Sequence, residues 1–293
     1  MDGELTPGEA KKILNEPISH QEWNRIKKKI ETVKDPDIKR QLLTRLNAPA
    51  YRARISRLEA LKENAYIQSK IIADVEIQAT TRGYMDTIDN AYHQNMFDIQ
   101  KGLGVGFEFA SIDSAAIEAI LKDPWTGAYF SERVWHNTDV LAKKAGDIIT
   151  AGFMSGVGVE AMTRELAARM ESSKFVASRV IRTETTYMAN AAEIEAYKEA
   201  EIDEYIFLAT LDKRTSKICQ QHDNKIYKVK DARAGKNLPS MHPFCRSTTR
   251  AYFGPDTLKN IQRRARNPET GRNELVPANM NYAAWRKKYA KAG

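Results

Sequence analysis

The apolar positions of this chain fall mostly at helical spacing. Residues 7–46 predict short helices, with Pro7 near the start of the first. In "SHQEWNRIKKKIETV", Trp23, Ile26, Ile30 and Val33 step by three, four and three, one buried stripe with charges around it. "DPDIKRQLLTRL" predicts a second amphipathic piece, broken at Asn47-Ala48-Pro49. Neither Pro nor Gly interrupts residues 50–82. There Leu58, Leu61, Ala65, Gln68, Ile72, Val75 and Ala79 form a seam like that of a coiled coil, with Gln68 as its polar member. The seam suits a helix hairpin, an arm packed on another subunit, or a bundle helix within its own chain.

Further along, "KGLGVGFEF" lacks the Gly-Lys-Ser/Thr ending of a phosphate loop and reads as a flexible loop or hairpin. A short helix is expected at 113–122. Another follows, capped by Ser131, with Val134, Leu141, Ala145 and Ile148 buried. Trp125, Tyr129, Phe130 and Trp135 read as core aromatics. Gly152, Gly156 and Gly158 mark a turn into the helix "VEAMTRELAARM". A separate helix over 174–201 carries Val176, Val180, Tyr187, Ala191 and Ile194 on its apolar face. Glu184 falls on that face and needs a partner, expected from Arg214 or Arg246; a catalytic role is the other reading. The pattern then changes period. "EYIFLATL" at 204–211, "KIYKV" at 225–229 and "STTRAYF" at 247–253 predict strands of a small sheet.

The fold class expected is α+β, mainly α. An elongated N-terminal helical region with a long helix leads to a small C-terminal knob containing the sheet, then to a basic helical tail. Four segments follow: 1–49, short helices; 50–173, a helical domain with the long helix; 174–254, a compact α+β domain; 255–293, the tail.

Net charge refines this picture. The 293 residues carry +8, with a pI near 9.3, which favours a polyanionic partner. Between Lys259 and Lys291 stand nine Lys/Arg against two Glu. Lys259, Arg263, Arg264, Arg266, Arg286, Lys287 and Lys288 are the candidate phosphate contacts, for duplex DNA held without sequence reading. Trp285 and Tyr289, four apart, would dock one side of the last helix. A solvated face, or one docked on an acidic protein, is the alternative. The N-terminus has no basic-then-apolar leader and no window reaches the ~18 apolar residues of a spanning helix, so a soluble protein made in the cytoplasm, with no membrane partner, is expected.

The two cysteines are both in "CQQHDNKIYKVKDARAGKNLPSMHPFC". Cys219-x2-His222 is mirrored, nineteen residues on, by His242-x2-Cys245. Zinc takes four nitrogen and sulfur ligands, and a two-residue gap lets one turn aim both members of a pair at the ion. Cys219, His222, His242 and Cys245 are therefore a candidate closed, structural zinc site. A buried thiol, a surface histidine and a turn-forming His-Pro are the plain alternative. A nuclease using His222 or His242 as base, with Asp223 on a metal, is the catalytic one.

"RVIRTETTYMANAAEIEAY", "TLDKRTSKICQQHDNKIY" and "LPSMHPFCRSTTRAYF" together resemble the phage Mu protein F-like family of minor head, or head morphogenesis, proteins of tailed phages. The resemblance rests on Arg182, Thr183, Glu184, Asp212, Arg214, Thr215, Cys219, Asp223, Pro239, His242, Pro243, Cys245 and Arg246. Asn224 stands where Gly is usual, Ser247 where many members carry another Cys, and His222 has no counterpart in the pattern. What the resemblance implies is a phage-head component without established enzymatic activity. It would reside in the virion, at the head interior or portal vertex, and in the host cytoplasm during assembly. Its partners would be the portal protein, the major capsid or scaffolding protein, and packaged DNA, with roles in DNA packaging or ejection. ADP-ribosyl transfer would want an arginine, a Ser-Thr-Ser strand and Glu-x-Glu. "CRSTTR" mimics the middle element, but Glu269 and Glu274 follow at the wrong spacing.

Overall fold

A computed structural model of the chain describes residues 15–47, 57–125, 127–155, 157, 159–259 and 261–289. The expectations for Pro7, the break at Ala48-Pro49, Gly156, Gly158, the side chain of Val176, and Lys291 lie outside the described residues. In order, the elements are α1 (His20–Ile30), α2 (Pro36–Asn47), α3 (Arg57–Leu103), α4 (Ser114–Leu121), α5 (Phe130–Met154) and α6 (Val159–Glu199). Then come β1 (Glu204–Leu208), α7 (Lys217–His222), β2 (Ile226–Lys228), β3 (Thr248–Ala251), β4 (Gln262–Arg266), β5 (Asn273–Pro277) and α8 (Tyr282–Tyr289). The protein is α+β and mainly α, with small antiparallel sheets near the C-terminal end. No helix among the described residues is long and apolar enough to cross a membrane. The chain divides into two compact units, Met1–Thr80 with Ser131–Ser178, and Thr81–Phe130 with Arg179–Gly293.

In the first unit, α1 starts on a capping box. Ser19 accepts the Glu22 N–H, and the Glu22 carboxylate accepts the Ser19 N–H. The predicted stripe is buried: Ile26, Ile30 and Val33 pack with Leu42, Leu46, Ala60 and Ile67, and Trp23 lies against them. Asp35 accepts the N–H groups of Asp37 and Ile38, and Pro36 opens α2.

Helix α3 departs from the sequence expectation twice. It runs through Gly83 to Leu103, well past 82. Its inner face is also not the predicted seam, because Leu61, Ile72 and Val75 are exposed. Buried instead are Ala60, Glu63, Ile67, Lys70, Ala73 and Asp74. Each buried charge has a partner, which is why that face can turn inward. Glu63 pairs with Arg45 at 3.0 Å and Lys70 with Asp139 at 2.6 Å. Asp74 accepts the backbone N–H groups of Lys34 and Asp35, at 2.9 and 3.2 Å, in the turn between α1 and α2.

Helix α5 begins at Phe130, so Ser131 lies inside its first turn rather than capping it. Phe130 is buried, Trp125 and Trp135 half-buried and Tyr129 exposed. The two helices expected on either side of residue 174 are one, α6.

The second unit holds both sheets. The strand order of the first is β2-β1-β3, with β1 central and antiparallel to both neighbours; Tyr205 faces Tyr227 on one side and Ala251 on the other. All three strands lie within the ranges predicted from the sequence. The tail is not simply helical: β4 and β5 form a hairpin before α8. Leu211, Ala265, Val276, Tyr282 and Trp285 build a small core beneath it.

Candidate metal centre and its supports

Helix α7 is short and starts on Ser216, whose hydroxyl accepts the Cys219 N–H. This places Cys219 in the knob's core with Phe207, Ala209, Met241 and Cys245. The loop from His242 to Cys245 returns beside it. Cys219 Sγ lies 3.3 Å from His242 Nε2 and 3.8 Å from Cys245 Sγ. All three donor atoms lie within 4.8 Å of one another.

The two separations from Cys219 suit one shared ion. A tetrahedral zinc with Zn–S of ~2.3 Å and Zn–N of ~2.0–2.1 Å sets its S···S edge near ~3.8 Å and its S···N edge near ~3.6 Å. The histidine is presented correctly. His242 Nδ1 lies 2.8 Å from the Pro243 carbonyl, which can only accept, so Nδ1 carries the proton and Nε2 keeps its lone pair. The sulfurs are unequal. The bond the two thiols share, with the backbone N–H groups of Met241 and Ser247, favours the thiolate at Cys245, and the same bond, with burial, pushes the Cys219 thiol up.

His222 does not join them. Its Nδ1 sits 2.7 Å from the Tyr227 hydroxyl and its ring lies against Phe207, so packing across the sheet draws it away from the sulfurs. The four-ligand set read from the sequence becomes three: Cys219, His242 and Cys245. Asp223, the carboxylate a nuclease would place on a metal, is enclosed. It accepts N–H groups of Ala209 (2.8 Å) and Tyr282 (2.6 Å) and pairs with Arg263 at 3.0 Å.

The remaining motif residues build the frame around the three donors. Asp212 holds Arg246 in a two-pronged pair and accepts from the backbone of Arg214 and the hydroxyl of Thr215. Burial raises the Asp212 carboxyl, but the Arg246 pair, the Arg214 N–H and the Thr215 hydroxyl together outweigh it and the net shift is downward. The side chains of Arg214 and Arg182 are exposed, Pro239 is buried and Pro243 exposed. Glu184 is buried and accepts the Trp125 indole N–H at 3.2 Å, while Arg246, one of its two expected partners, is engaged by Asp212. Asn224 has φ of 61°, the left-handed conformation Asn tolerates, and its amide bonds the Asn279 carbonyl.

A stripe the sequence reading missed lies on α6: Thr183, Thr186, Asn190, Glu193 and Tyr197, alternating three and four apart. Thr183 accepts the Phe244 N–H and Thr186 donates to the Cys245 carbonyl, both at 3.0 Å. Glu193 accepts from Thr248 and Thr249, and Tyr197 bonds Thr249. A polar row at helical spacing was the available signal, but a search for apolar stripes passes over it.

The candidate DNA-binding residues separate. Arg263 is almost fully buried against Asp223 and Ala209, so it serves the fold. Lys259, Arg264, Arg266, Arg286, Lys287 and Lys288 are exposed. Trp285 is buried beneath the last three, as expected from its spacing.

Residues 143–250, covering the three donors and all the motif positions on which the resemblance rests, match the model of the phage Mu protein F like protein family. This stretch, 108 of the 293 residues, is similar to that family. Over 155 residues the chain is also 24% identical to the NAD(+)–arginine ADP-ribosyltransferase EFV of Enterococcus faecalis (strain ATCC 700802 / V583). That alignment takes in 51% of this chain and 32% of the relative, so the chain spans about a third of that protein. No solved structure matches the chain. Among the described residues, this stretch brings together Cys219 from α7 with His242 and Cys245 from the 242–245 loop.

Proposed function

We propose that the protein is a minor head component of a tailed phage, acting in head morphogenesis at the portal or the capsid interior. The observation that carries this reading is the match to the Mu F-like family over residues 143–250. The geometry is compatible with a structural part. The knob is laced by buried pairs such as Asp223–Arg263, and its Cys219, His242 and Cys245 suit a structural zinc. We infer that its exposed cations, Arg264, Arg266, Arg286, Lys287 and Lys288 above all, contact packaged duplex DNA through phosphates. Residence in the virion, assembly in the host cytoplasm, portal protein and major capsid or scaffolding protein as partners, and roles in DNA packaging or ejection belong to the same reading.

Turnover of a substrate is not part of it. The activity in the relative's name belongs to a protein of which a third is aligned, and Glu269 and Glu274 here lie in and beside a hairpin turn. The nuclease alternative loses its metal carboxylate with Asp223 enclosed.

Co-expression with portal and capsid proteins tests assembly directly. The chain should co-sediment with portal rings or proheads, and a chain found only in the soluble fraction beside assembled heads overturns the proposal. Binding to duplex DNA should weaken steeply with salt and weaken further in an Arg286→Glu, Lys287→Glu variant. No binding at low salt removes the DNA contact. Plasmid cleavage with divalent metal, abolished in a folded His242→Ala variant, would favour the nuclease.

A further inference from the structure

In the first unit, α3 carries two apolar faces, and the chain buries one of them. Ala60 and Ile67 pack in the core with α1 and α2, and Lys70 pairs with Asp139 of α5. The heptad seam faces elsewhere. Leu61, Ile72, Val75 and Ala79 are exposed, and Leu58, Ala65 and Gln68 are half-buried. Two charged residues border it, Lys62 directly after Leu61 and Glu76 directly after Val75. Neither has an ion-pair partner among the described residues. Glu76 is half-buried, and burial raises its carboxyl with no cation opposing the shift.

We propose that the 58–79 seam of α3 pairs antiparallel with the same seam of a second copy of this chain. Steps of three and four are the spacing by which one helix meets another of equal spacing. A two-fold between residues 68 and 72 sets Leu61 against the partner's Ala79 and Ala65 against the partner's Val75, so large side chains meet small ones. Gln68 falls against the partner's Ile72, a polar member that fixes the register. In that same register Lys62 comes beside the partner's Glu76, once on each side of the two-fold. A slip of one heptad loses both matches, because Leu61 then meets Ile72 and Lys62 meets Ser69. A parallel pair stacks Val75 on Val75 and leaves Lys62 and Glu76 apart. The helix is already held by α1, α2 and α5, so pairing costs no helix formation. The pairing is independent of the assignment to a phage head and of the metal reading.

The experiment is sedimentation equilibrium of the full chain, kept reduced, over a concentration series. The wild type should pass from monomer to dimer as concentration rises. Val75→Lys should weaken pairing by about tenfold or more, and Val75→Ser serves if the lysine variant does not fold. In dilute solution, where the pairs separate, each variant should melt like the wild type. Lys62→Glu and Glu76→Lys alone should each weaken pairing at low salt, and the double exchange should restore it. The two positions lie ~21 Å apart along one helix, so that recovery reports contact between copies. A chain monomeric throughout, or a dimer indifferent to Val75→Lys, overturns the proposal. A dimer weakened by Val75→Lys but not recovered by the double exchange overturns the antiparallel register. A monomeric chain that co-sediments with portal rings only while Val75 is intact gives the seam to another protein and overturns self-pairing.

Discussion

Thr183 on α6 accepts the backbone N–H of Phe244, in the middle of the loop that carries His242 and Cys245, at 3.0 Å. The same hydroxyl donates back to the Arg179 carbonyl of its own helix. Phe244 has φ of 59°, a backbone state a non-glycine residue holds only when its surroundings fix it. Thr183 is one of those fixings, so the helix positions the loop and the loop positions the donors.

Thr183→Val keeps the shape and removes the acceptor. Losing the Thr183 acceptor in this part-buried contact should cost about 1–3 kcal/mol. Urea denaturation should report that loss, and metal affinity should fall with it. Thr183→Ser, which restores the hydroxyl, should lie close to wild type.

Asp212 and Arg246 make the knob sensitive to acid. The folded Asp212 carboxyl sits below its unfolded value, despite burial, because of the Arg246 pair together with the Arg214 N–H and the Thr215 hydroxyl. Its stabilisation is therefore complete above the ordinary carboxylate range, near about pH 4, and is lost as pH falls through the lowered value. Asp212→Asn should destabilise the knob at neutral pH by about 1–3 kcal/mol, less any screening at the partly exposed guanidinium. It should also flatten the acid limb of a melting-temperature profile. A parallel downward shift of the whole profile would contradict the assignment.

Asp223 ties the C-terminal hairpin and α8 to the knob. Its carboxylate is fully enclosed and gathers Arg263, the Tyr282 N–H and the Ala209 N–H. Asp223→Ala leaves Arg263 buried without its carboxylate, a change that typically costs about 3–5 kcal/mol. Limited proteolysis should then cut between 255 and 289 well before the rest of the second unit.

Helix α3 separates two kinds of apolar residue. Ile67 is fully buried, while Val75 is 61% exposed on the stripe that the sequence pattern selected. Ile67→Ala should cost about 2–5 kcal/mol, and Val75→Ser should stay within about 0.5 kcal/mol. Equal losses would mean that the exposed stripe carries packing of its own.

What was legible in the sequence was what local rules specify. Trp23, Ile26, Ile30 and Val33 announced their helix because one apolar face met one core. The strands at 204–208, 226–228 and 248–251 announced themselves by β-branched and aromatic runs. The cysteine pair was legible because its residue types are scarce. Long-range compensation was not. Glu63, Lys70 and Asp74 look like solvent residues until Arg45, Asp139 and the 34–35 backbone arrive from elsewhere. His222 sits at ligand spacing, yet Tyr227 and Phe207 on neighbouring strands hold it. Arg263 looks like its exposed neighbours until Asp223, forty positions earlier, buries it.

The most direct test of the three-donor centre is elemental analysis of the full chain purified under reducing conditions, with zinc counted per chain for wild type, His222→Ala and His242→Ala. One zinc in wild type and His222→Ala, and a loss in a His242→Ala protein that still shows its helical signal, is the result expected. Wild type without stoichiometric metal, or zinc lost with His222 and kept without His242, would contradict it.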